Sequence, residues 1–459
     1  MSDLDVSNLL SVPQAVRRLD SIPVQPRLIR VPLSQAQGLR LAATLKADRD
    51  YPPFDKSLMD GHAVRRSDVA AAPSELRVIG EVAAGESSRQ PVGPGEAMAI
   101  MTGAPIPDGA DGVVPVEDVE KLTPEAIRVL RADNPARYVA PRGSDCPAGQ
   151  IVLRAGVRLG PAQLAATASI GAAEVDVFAA PRAAVLATGN ELVSVEHQPG
   201  PAQIRNSNSP MIVALLRQMG CEVTDLGTVR DESDALRDAL ARGLEHDVLF
   251  VTGGMSMGQY DYVPRLLQEL GVELQITKLR IKPGKPFVFG VREDAGTRGR
   301  GDAETESDRI APGSQPAPAP AGSSVTPSSS ASAFPRPGVP ASHFVFGLPG
   351  NPVSAFVCVV RLASRLISRL GGGAVEERWI SGKLETGLPV NGPREFYQPA
   401  LRTITQGRDS SHSELAAIRP LNWKGSADLF TLAQANVLLV RPENDPPLPK
   451  GTVVRVLEI

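Results

Sequence analysis

Val248-Leu-Phe-Val-Thr-Gly-Gly-Met-Ser-Met-Gly-Gln-Tyr-Asp261 decides how this chain is read. Val248 to Val251 is a short apolar run ending near glycine, which suits a strand buried on both faces of a parallel sheet. Gly253, Gly254 and Gly258 leave the backbone free to turn tightly and approach a ligand closely. Asp261 is placed to cap a helix running toward Leu270, with Gly271 as its stop. A strand, a glycine loop and a helix N-terminus together make an anion site, because free N–H groups and the positive end of the helix dipole meet there. The loop has neither the Lys-Ser/Thr ending of a P-loop nor GxGxxG spacing. By itself it reads equally as a tight strand-to-helix turn.

Two further stretches repeat the pattern. Ala183-Ala-Val-Leu-Ala-Thr-Gly-Asn-Glu-Leu192 is an apolar run ending in Thr-Gly. His343-Phe-Val-Phe-Gly-Leu-Pro-Gly-Asn-Pro352 is another, with Asn351 as cap and Pro352 at the first helical position. Loops at the carboxyl ends of strands in an open α/β sheet share one edge, where ligands bind. Three such loops converging on that edge favour a binding site over three plain turns.

The surrounding residues continue the alternation. Strands over 183–188, 222–226, 248–251, 272–277, 286–290 and 343–348 alternate with helices from Ser209-Pro210 to Gly220, over 233–244, after Asp261 and over 352–370. This order predicts a mostly parallel sheet covered on both faces. Pro286-Phe-Val-Phe-Gly290 and His343-Phe-Val-Phe-Gly347 read as paired hairpin strands. The Ala-, Pro-, Ser- and Gly-rich residues between them (291–342) read as a disordered insertion at the hairpin tip. Loop closure costs grow slowly with length, so the fold can carry it.

Upstream, residues 7–22 read as an amphipathic helix, and 39–47 as a strand or a short helix. Residues 65–143 hold short apolar runs at 76–79, 95–101, 112–116 and 127–130 with turn residues between, the pattern of a small β domain. Residues 150–160 read as a strand pair and 161–170 as a helix. The charged segment Tyr51 to Val64 alternates with Phe54, Leu58 and Met59, which marks it as half-buried rather than a plain solvated loop. Met101 to Ala110 is a rigid Gly/Pro loop, either a plain turn or a ligand contact through Thr102 and Gly103. Downstream, 379–384, 396–403, 437–440 and 452–457 read as strands of a small β barrel.

Composition narrows the function. A net charge of −3 over 459 residues argues against a general nucleic-acid binder. No apolar run is long enough to span a bilayer. The acidic start MSDLDVSNLL lacks the basic n-region of a signal peptide. Cys146, Cys221 and Cys358 offer no CxxC and no disulfide framework, which suits the cytosol. The five scattered histidines form no HxxxH pair, which argues against zinc.

PPFDKSLMDGHAV (52–64), MTGAPIP (101–107), RGSD (142–145), TGNELV (188–193), VTGGMSMGQYDYV (251–263), IKPGKP (281–286) and LPGNPVS (348–354) resemble, in this order, the motifs of the molybdopterin molybdenumtransferases, bacterial MoeA and the gephyrin E domain. The resemblance covers nearly the whole chain. It implies an α/β multidomain fold: an elongated linker domain from 1–51 and 144–180, an inserted β domain over 52–143, a three-layer α/β domain over 181–375, and a C-terminal β barrel over 376–459. It implies an enzyme that inserts molybdate into adenylylated molybdopterin and releases AMP, with Mg2+, in the cytoplasm, as a homodimer. The molybdopterin adenylyltransferase is then a candidate partner.

Such a substrate carries a phosphoanhydride, and molybdate is a dianion; both need N–H-rich loops, fixed cations and hydroxyls. Lys282 and Lys285 suit oxyanion or phosphate contacts. Mg2+ asks for carboxylates plus water, and Glu191, Asp231 and Asp261 match the family's acidic positions. Asp60, Thr102 and Asp145 match positions that in the family reach the site across the dimer. Ligand contacts are implied at Thr188, Gly189, Thr252, Gly253, Gly254, Ser256, Gly258, Pro349, Gly350, Asn351, Arg394 and Ser426. Four positions depart from the pattern. Asn190 stands where Asp is usual, Gln259 where an acid is frequent, His62 where Tyr is usual, and Gln398 where many relatives have a second arginine. Arg394 or Arg402 would have to substitute for that arginine. Two other readings compete: the adenylyltransferase, whose enzymes lack counterparts of 52–64 and 376–459, and a catalytically degenerate scaffold.

Overall fold

The computed structural model describes residues 9–255, 262–293, 342–375, 377–403 and 415–459. The chain divides into two compact units, Arg30–Val177 and Met1–Ile29 with Phe178–Ile459.

In the first unit a six-stranded sheet runs in the order Gly112–Pro115, Gly61–Val64, Glu96–Ile100, Ser74–Val82, Ala126–Val129, Val119–Thr123. Alternate residues feed two cores: Ala63, Met98 and Val113 pack on one face, Val64, Ala97 and Val114 on the other. That is the period of two expected of strands. The four apolar runs are strands. Gly61–Val64 and Val119–Thr123 were not anticipated. The first lies in the charged segment, where Gly61 lets the strands meet: a Cβ there would stand 2.1 Å from the Val114 carbonyl oxygen. The second is an edge strand almost wholly exposed, so it carries no apolar alternation. Residues 39–47 resolve into two short strands, Arg40–Leu41 and Leu45–Lys46. The strand pair expected within 150–160 is instead one strand, Ile151–Leu153, whose antiparallel partner is Leu45–Lys46.

In the second unit the sheet order is Glu222–Val229, Arg182–Thr188, Val248–Thr252, Ser342–Leu348, Val288–Glu293, Glu273–Ile276. The first four strands pair in parallel, and Val288–Glu293 runs antiparallel to both of its neighbours, Ser342–Leu348 and Glu273–Ile276. Val248 and Phe250 face a core shared with Ile212, Leu216, Val353 and Leu366, while Leu249 and Val251 face Leu236, Leu240, Val263 and Leu266. Helices on both faces explain why the strand is apolar throughout. Val288 pairs with Gly347 and Glu293 with Ser342, so the two Phe-Val-Phe-Gly runs form the expected hairpin. Residues 294–341 at its tip lie outside the described residues.

The first helix runs Val12–Ser21, shorter than 7–22, because Ser11 and Gln14 close a reciprocal capping box at its start. Val12, Ala15 and Leu19 are buried in the α/β core, so residues up to Ile29 group with this unit rather than with the 30–51 segment. The expected helix 352–370 is interrupted: α-helical Pro352–Cys358 and Ser364–Leu370 flank a π-helical turn, Val359–Ala363.

Five strands close a C-terminal barrel: Trp379–Leu384, Glu395–Thr403, Ala417–Pro420, Val437–Arg441 and Val453–Glu458. Closure comes from Glu395–Thr403, which pairs with both Ala417–Pro420 and Val437–Arg441. Ile281–Lys282 adds beside its start, Lys282 opposite Phe396.

Candidate functional site

The carboxyl ends of three parallel strands stand level in the second unit, Ala187 opposite Thr252 and Thr252 opposite Leu348. Gly253, at φ +93°, leaves its strand where a Cβ would stand 2.0 Å from the Thr188 carbonyl oxygen. Only glycine permits that approach. The Gly253 N–H donates to the Leu348 carbonyl at 3.4 Å, tying the Thr-Gly-Gly loop to the Leu-Pro-Gly-Asn loop. Thr252 is buried, and its hydroxyl lies 3.4 Å from the Pro349 carbonyl.

The acids are held by neighbouring loops. The Thr188 hydroxyl donates to the Asp231 carboxylate, and the Asp231 N–H donates to Asn190 Oδ1 at 3.2 Å. Asn190, the departure from the family pattern, therefore fixes the loop that carries Asp231. Asp231 precedes the helix Ser233–Gly243, whose capping position is Glu232, so its carboxylate is committed to Thr188 and not to the helix. The Glu191 carboxylate folds over Gly189, where a Cβ would stand 2.7 Å from Glu191 Oε2.

Asn351 occupies the cap position of Pro352–Cys358 but makes no side-chain cap. Its amide instead donates to the Ser426 hydroxyl at 3.0 Å, and the Val353 N–H donates to the Ser426 carbonyl at 3.1 Å. The barrel loop carrying Ser426 is thus pinned to the α/β sheet edge. Gly284, at φ +122°, packs its loop against the same helix: a Cβ there would meet Cys358 Sγ at 2.9 Å. Lys282 precedes the α/β strand Val288–Glu293 and does not pair with that sheet. Its strand belongs to the barrel, and its Nζ lies 5.0 Å from the centroid of Phe396, which packs on Trp423 at 5.9 Å. Lys285 offers its carbonyl to the Leu279 N–H at 3.1 Å, which closes the loop on itself.

Arg394 immediately precedes Glu395–Thr403 and lies beside this loop, since Glu395 donates its N–H to the Arg280 carbonyl. Gln398 turns its amide to the Leu421 carbonyl at 3.0 Å. Arg402 pairs with Ile418 near the far end of the strand, about 27 Å from Arg394 at roughly 3.4 Å per residue. Of the two proposed substitutes, only Arg394 stands at the Lys282 end.

In the first unit the segments 52–64, 101–107 and 142–145 meet around the short strand Lys56–Ser57. Ser57 exchanges backbone hydrogen bonds with Gly103 and Ala104, and pairs with Val139. Asp60 Oδ1 accepts from the Thr102 N–H at 2.6 Å and from the Thr102 hydroxyl at 2.8 Å. Those donors hold the Asp60 carboxyl below its usual range, the backbone N–H contributing most. Asp145 faces Lys56 Nζ at 3.7 Å. His62 is half-buried, and burial, with Lys121 nearby, holds its imidazole below its usual range.

Ser256, Gly258, Gln259 and Asp261 lie outside the described residues. Among the described residues no three His, Cys, Asp or Glu groups gather into a metal cage. Glu191 and Asp231, on neighbouring loops, supply hard carboxylate oxygens of the kind Mg2+ takes. Sequence reading passed over Asn206 and Asn208. Asn206 joins Ser209 and Thr228 at 2.9 and 3.0 Å, and Asn208 joins Thr252 and Gly350. Their signal was Asn206-Ser-Asn-Ser-Pro210, a cluster of cap-forming residues longer than one helix start requires.

A doubly covered α/β sheet with glycine loops gathered at its carboxyl edge, joined to a small barrel, defines a multidomain α/β protein whose loops have the geometry that suits an anionic ligand. Comparison with known proteins then places it. Residues 10–171 match the family model described as MoeA N-terminal region (domain I and II), 184–369 the probable molybdopterin binding domain, and 381–459 the MoeA C-terminal region (domain IV). A molybdopterin molybdenumtransferase of Nostoc sp. is 29% identical over 94% of this chain and 88% of its own length. One of Staphylococcus epidermidis is 36% identical over 60% of this chain and 67% of its own. The crystal structure of a molybdopterin biosynthesis MoeA protein from Pyrococcus horikosii superposes with a TM-score of 0.73 at 27% identity, covering 98% of this chain and 99% of that one. The chain belongs to the molybdopterin molybdenumtransferase (MoeA) family.

Proposed function

We propose that this chain inserts molybdate into adenylylated molybdopterin and releases AMP. The observation that carries the reading is the pairing of Asn351 with Ser426 beside the three glycine loops, with the Lys282–Lys285 loop packed through Gly284 on the helix that follows Asn351, in a chain of this family. Glycine loops supply N–H groups for a phosphoanhydride, and fixed lysines with a hydroxyl suit a tetrahedral dianion. In this reading Lys282, Lys285, Ser426 and Arg394 hold the molybdate end, and Thr188, Gly189, Thr252, Gly253, Gly254, Ser256, Gly258, Pro349 and Gly350 hold the nucleotide and pterin. Glu191, Asp231 and Asp261 hold Mg2+, which neutralises phosphate charge when bound. Asp60, Thr102 and Asp145 act from the other copy of a cytoplasmic homodimer, with the adenylyltransferase as supplier of substrate. The four-domain division belongs to the same proposal. No helix among the described residues is long and apolar enough to cross a membrane.

The test is AMP release from adenylylated molybdopterin with Mg2+, with and without molybdate. Wild type should release AMP only with molybdate, and Asp261→Ala should not release it. Tight ligand binding without release by wild type would favour the degenerate scaffold reading, in which Gln398 marks the lost contact.

A further inference from the structure

Asn208 is used on one side only. The side chain is 8% exposed, and its amide nitrogen donates to Thr252 Oγ1 at 2.8 Å and to the Gly350 carbonyl at 2.7 Å. Because a carbonyl can only accept, the nitrogen must face Gly350, and the amide oxygen is left for another partner. That oxygen is buried and accepts no hydrogen bond among the described residues. Asn208 begins the helix Asn208–Gln218 and joins the ends of the two central strands, Val248–Thr252 and Ser342–Leu348.

A buried acceptor without a donor is costly to leave unmade, and native structures rarely keep one without a purpose. Its polarity is the informative point. The surrounding loops offer N–H groups suited to anions, whereas this oxygen is the negative end of a dipole. Ionised phosphate and molybdate oxygens bring it no proton. A ligand group that meets it by a hydrogen bond must carry an N–H or O–H.

We propose that Asn208 is a specificity-determining residue, whose Oδ1 accepts a hydrogen bond from the exocyclic amino group of a fused aminopyrimidine ring in the bound ligand. This rests on the functional reading above, whose substrate carries two such rings, a pterin and an adenine.

The test deletes the donor from the ligand, so the fold is untouched. Binding to wild type is measured for AMP against purine riboside 5′-monophosphate, which lacks the amino group. It is also measured for a pterin monophosphate against the lumazine analogue, in which a carbonyl replaces the amino group. The expected result is a loss of about tenfold or more for the deaminated member of one pair, the range for a site left with an unpaired buried group. The pair that shows it identifies the ring. In Asn208→Ala the contrast should vanish; if that variant fails to fold, the milder Asn208→Ser takes its place in the same comparison. Equal affinities within both pairs would overturn the proposal while leaving the ligand class standing. A contrast that persists in Asn208→Ala would assign the amino group to another residue and overturn it too. If no member of either pair binds wild type, the functional reading falls, and this proposal with it.

Discussion

Gly253→Ala measures how far the site depends on the close approach of two strand ends, and Gly227→Ala supplies its control. Both glycines have positive φ, +93° and +80°. A Cβ at Gly227 would meet no atom within 4 Å, whereas at Gly253 it would stand 2.0 Å from the Thr188 carbonyl oxygen and 3.1 Å from its carbon. The backbone term is common to both, roughly 1–2 kcal/mol for an L-residue in left-handed conformation. Gly253→Ala adds the overlap. Overpacking typically costs about 1–3 kcal/mol, and here the obstructing atom is backbone in a central strand, so no rotamer change relieves it. The expected totals are roughly 1–2 kcal/mol for Gly227→Ala and roughly 2–5 kcal/mol for Gly253→Ala. Hydrogen exchange of the Val248–Thr252 amides reads the local opening free energy in each variant, because these amides bond to both neighbouring strands. Gly253→Ala should lower it by the larger amount and weaken AMP binding as well. Equal losses in the two variants would refute the idea that the loops are held by contact between Gly253 and Thr188.

Three further perturbations test other parts of the molecule. Arg365, with a side chain 10% exposed, bridges Asp20 of the first helix and Glu377 before the barrel. Arg365→Leu leaves Asp20 without its partner, while Glu377 keeps Arg361 and the Trp379 indole, and should cost about 1–2 kcal/mol in thermal unfolding, less than breaking a fully buried pair because Asp20 is 35% exposed; a change under about 0.5 kcal/mol would show the bridge to be incidental. Thr102→Val keeps the backbone donor to Asp60 and removes the hydroxyl, so the Asp60 carboxyl should titrate closer to its ordinary value of 3.8 by NMR; an unchanged titration would exclude the hydroxyl as a cause. Burial raises the Glu395 carboxyl above its ordinary 4.5, against the lowering effects of Tyr397 and Arg361. A raised folded-state value means that the stability contribution is full below 4.5 and declines as pH climbs through the raised value. Glu395→Gln should remove that decline from the stability–pH curve, and a curve parallel to wild type would contradict the assignment.

How much of this was legible depended on whether a residue's partner was local or distant. Val248 to Val251 could be read because burial on both faces leaves its mark on every residue of the strand. The hairpin across residues 294–341 could be read because its two strands repeat Phe-Val-Phe-Gly. Val119–Thr123 and the short strand Ile281–Lys282 were missed for opposite reasons. The first is exposed along nearly all its length, and the second is too short for periodicity and is defined by its pairing with Glu395 and Phe396, far along the chain. The site shows the same division. Glycines at 253 and 254 announce a tight turn locally, but the reason Gly253 must be glycine is the carbonyl of Thr188, sixty-five positions earlier. Asn351 looked like a helix cap because the positions flanking it are those of a cap. Its actual partner, Ser426, belongs to the barrel and leaves no trace near residue 351. Asn208 is the extreme case. Its neighbours suggest only a helix start, yet its nitrogen is taken by Thr252 and Gly350 and its oxygen by no group among the described residues. A polar side chain whose partners all lie elsewhere in the chain reads as a cap or a turn until the fold supplies them. For that reason the residues that join the loops of this site were harder to find than the loops themselves.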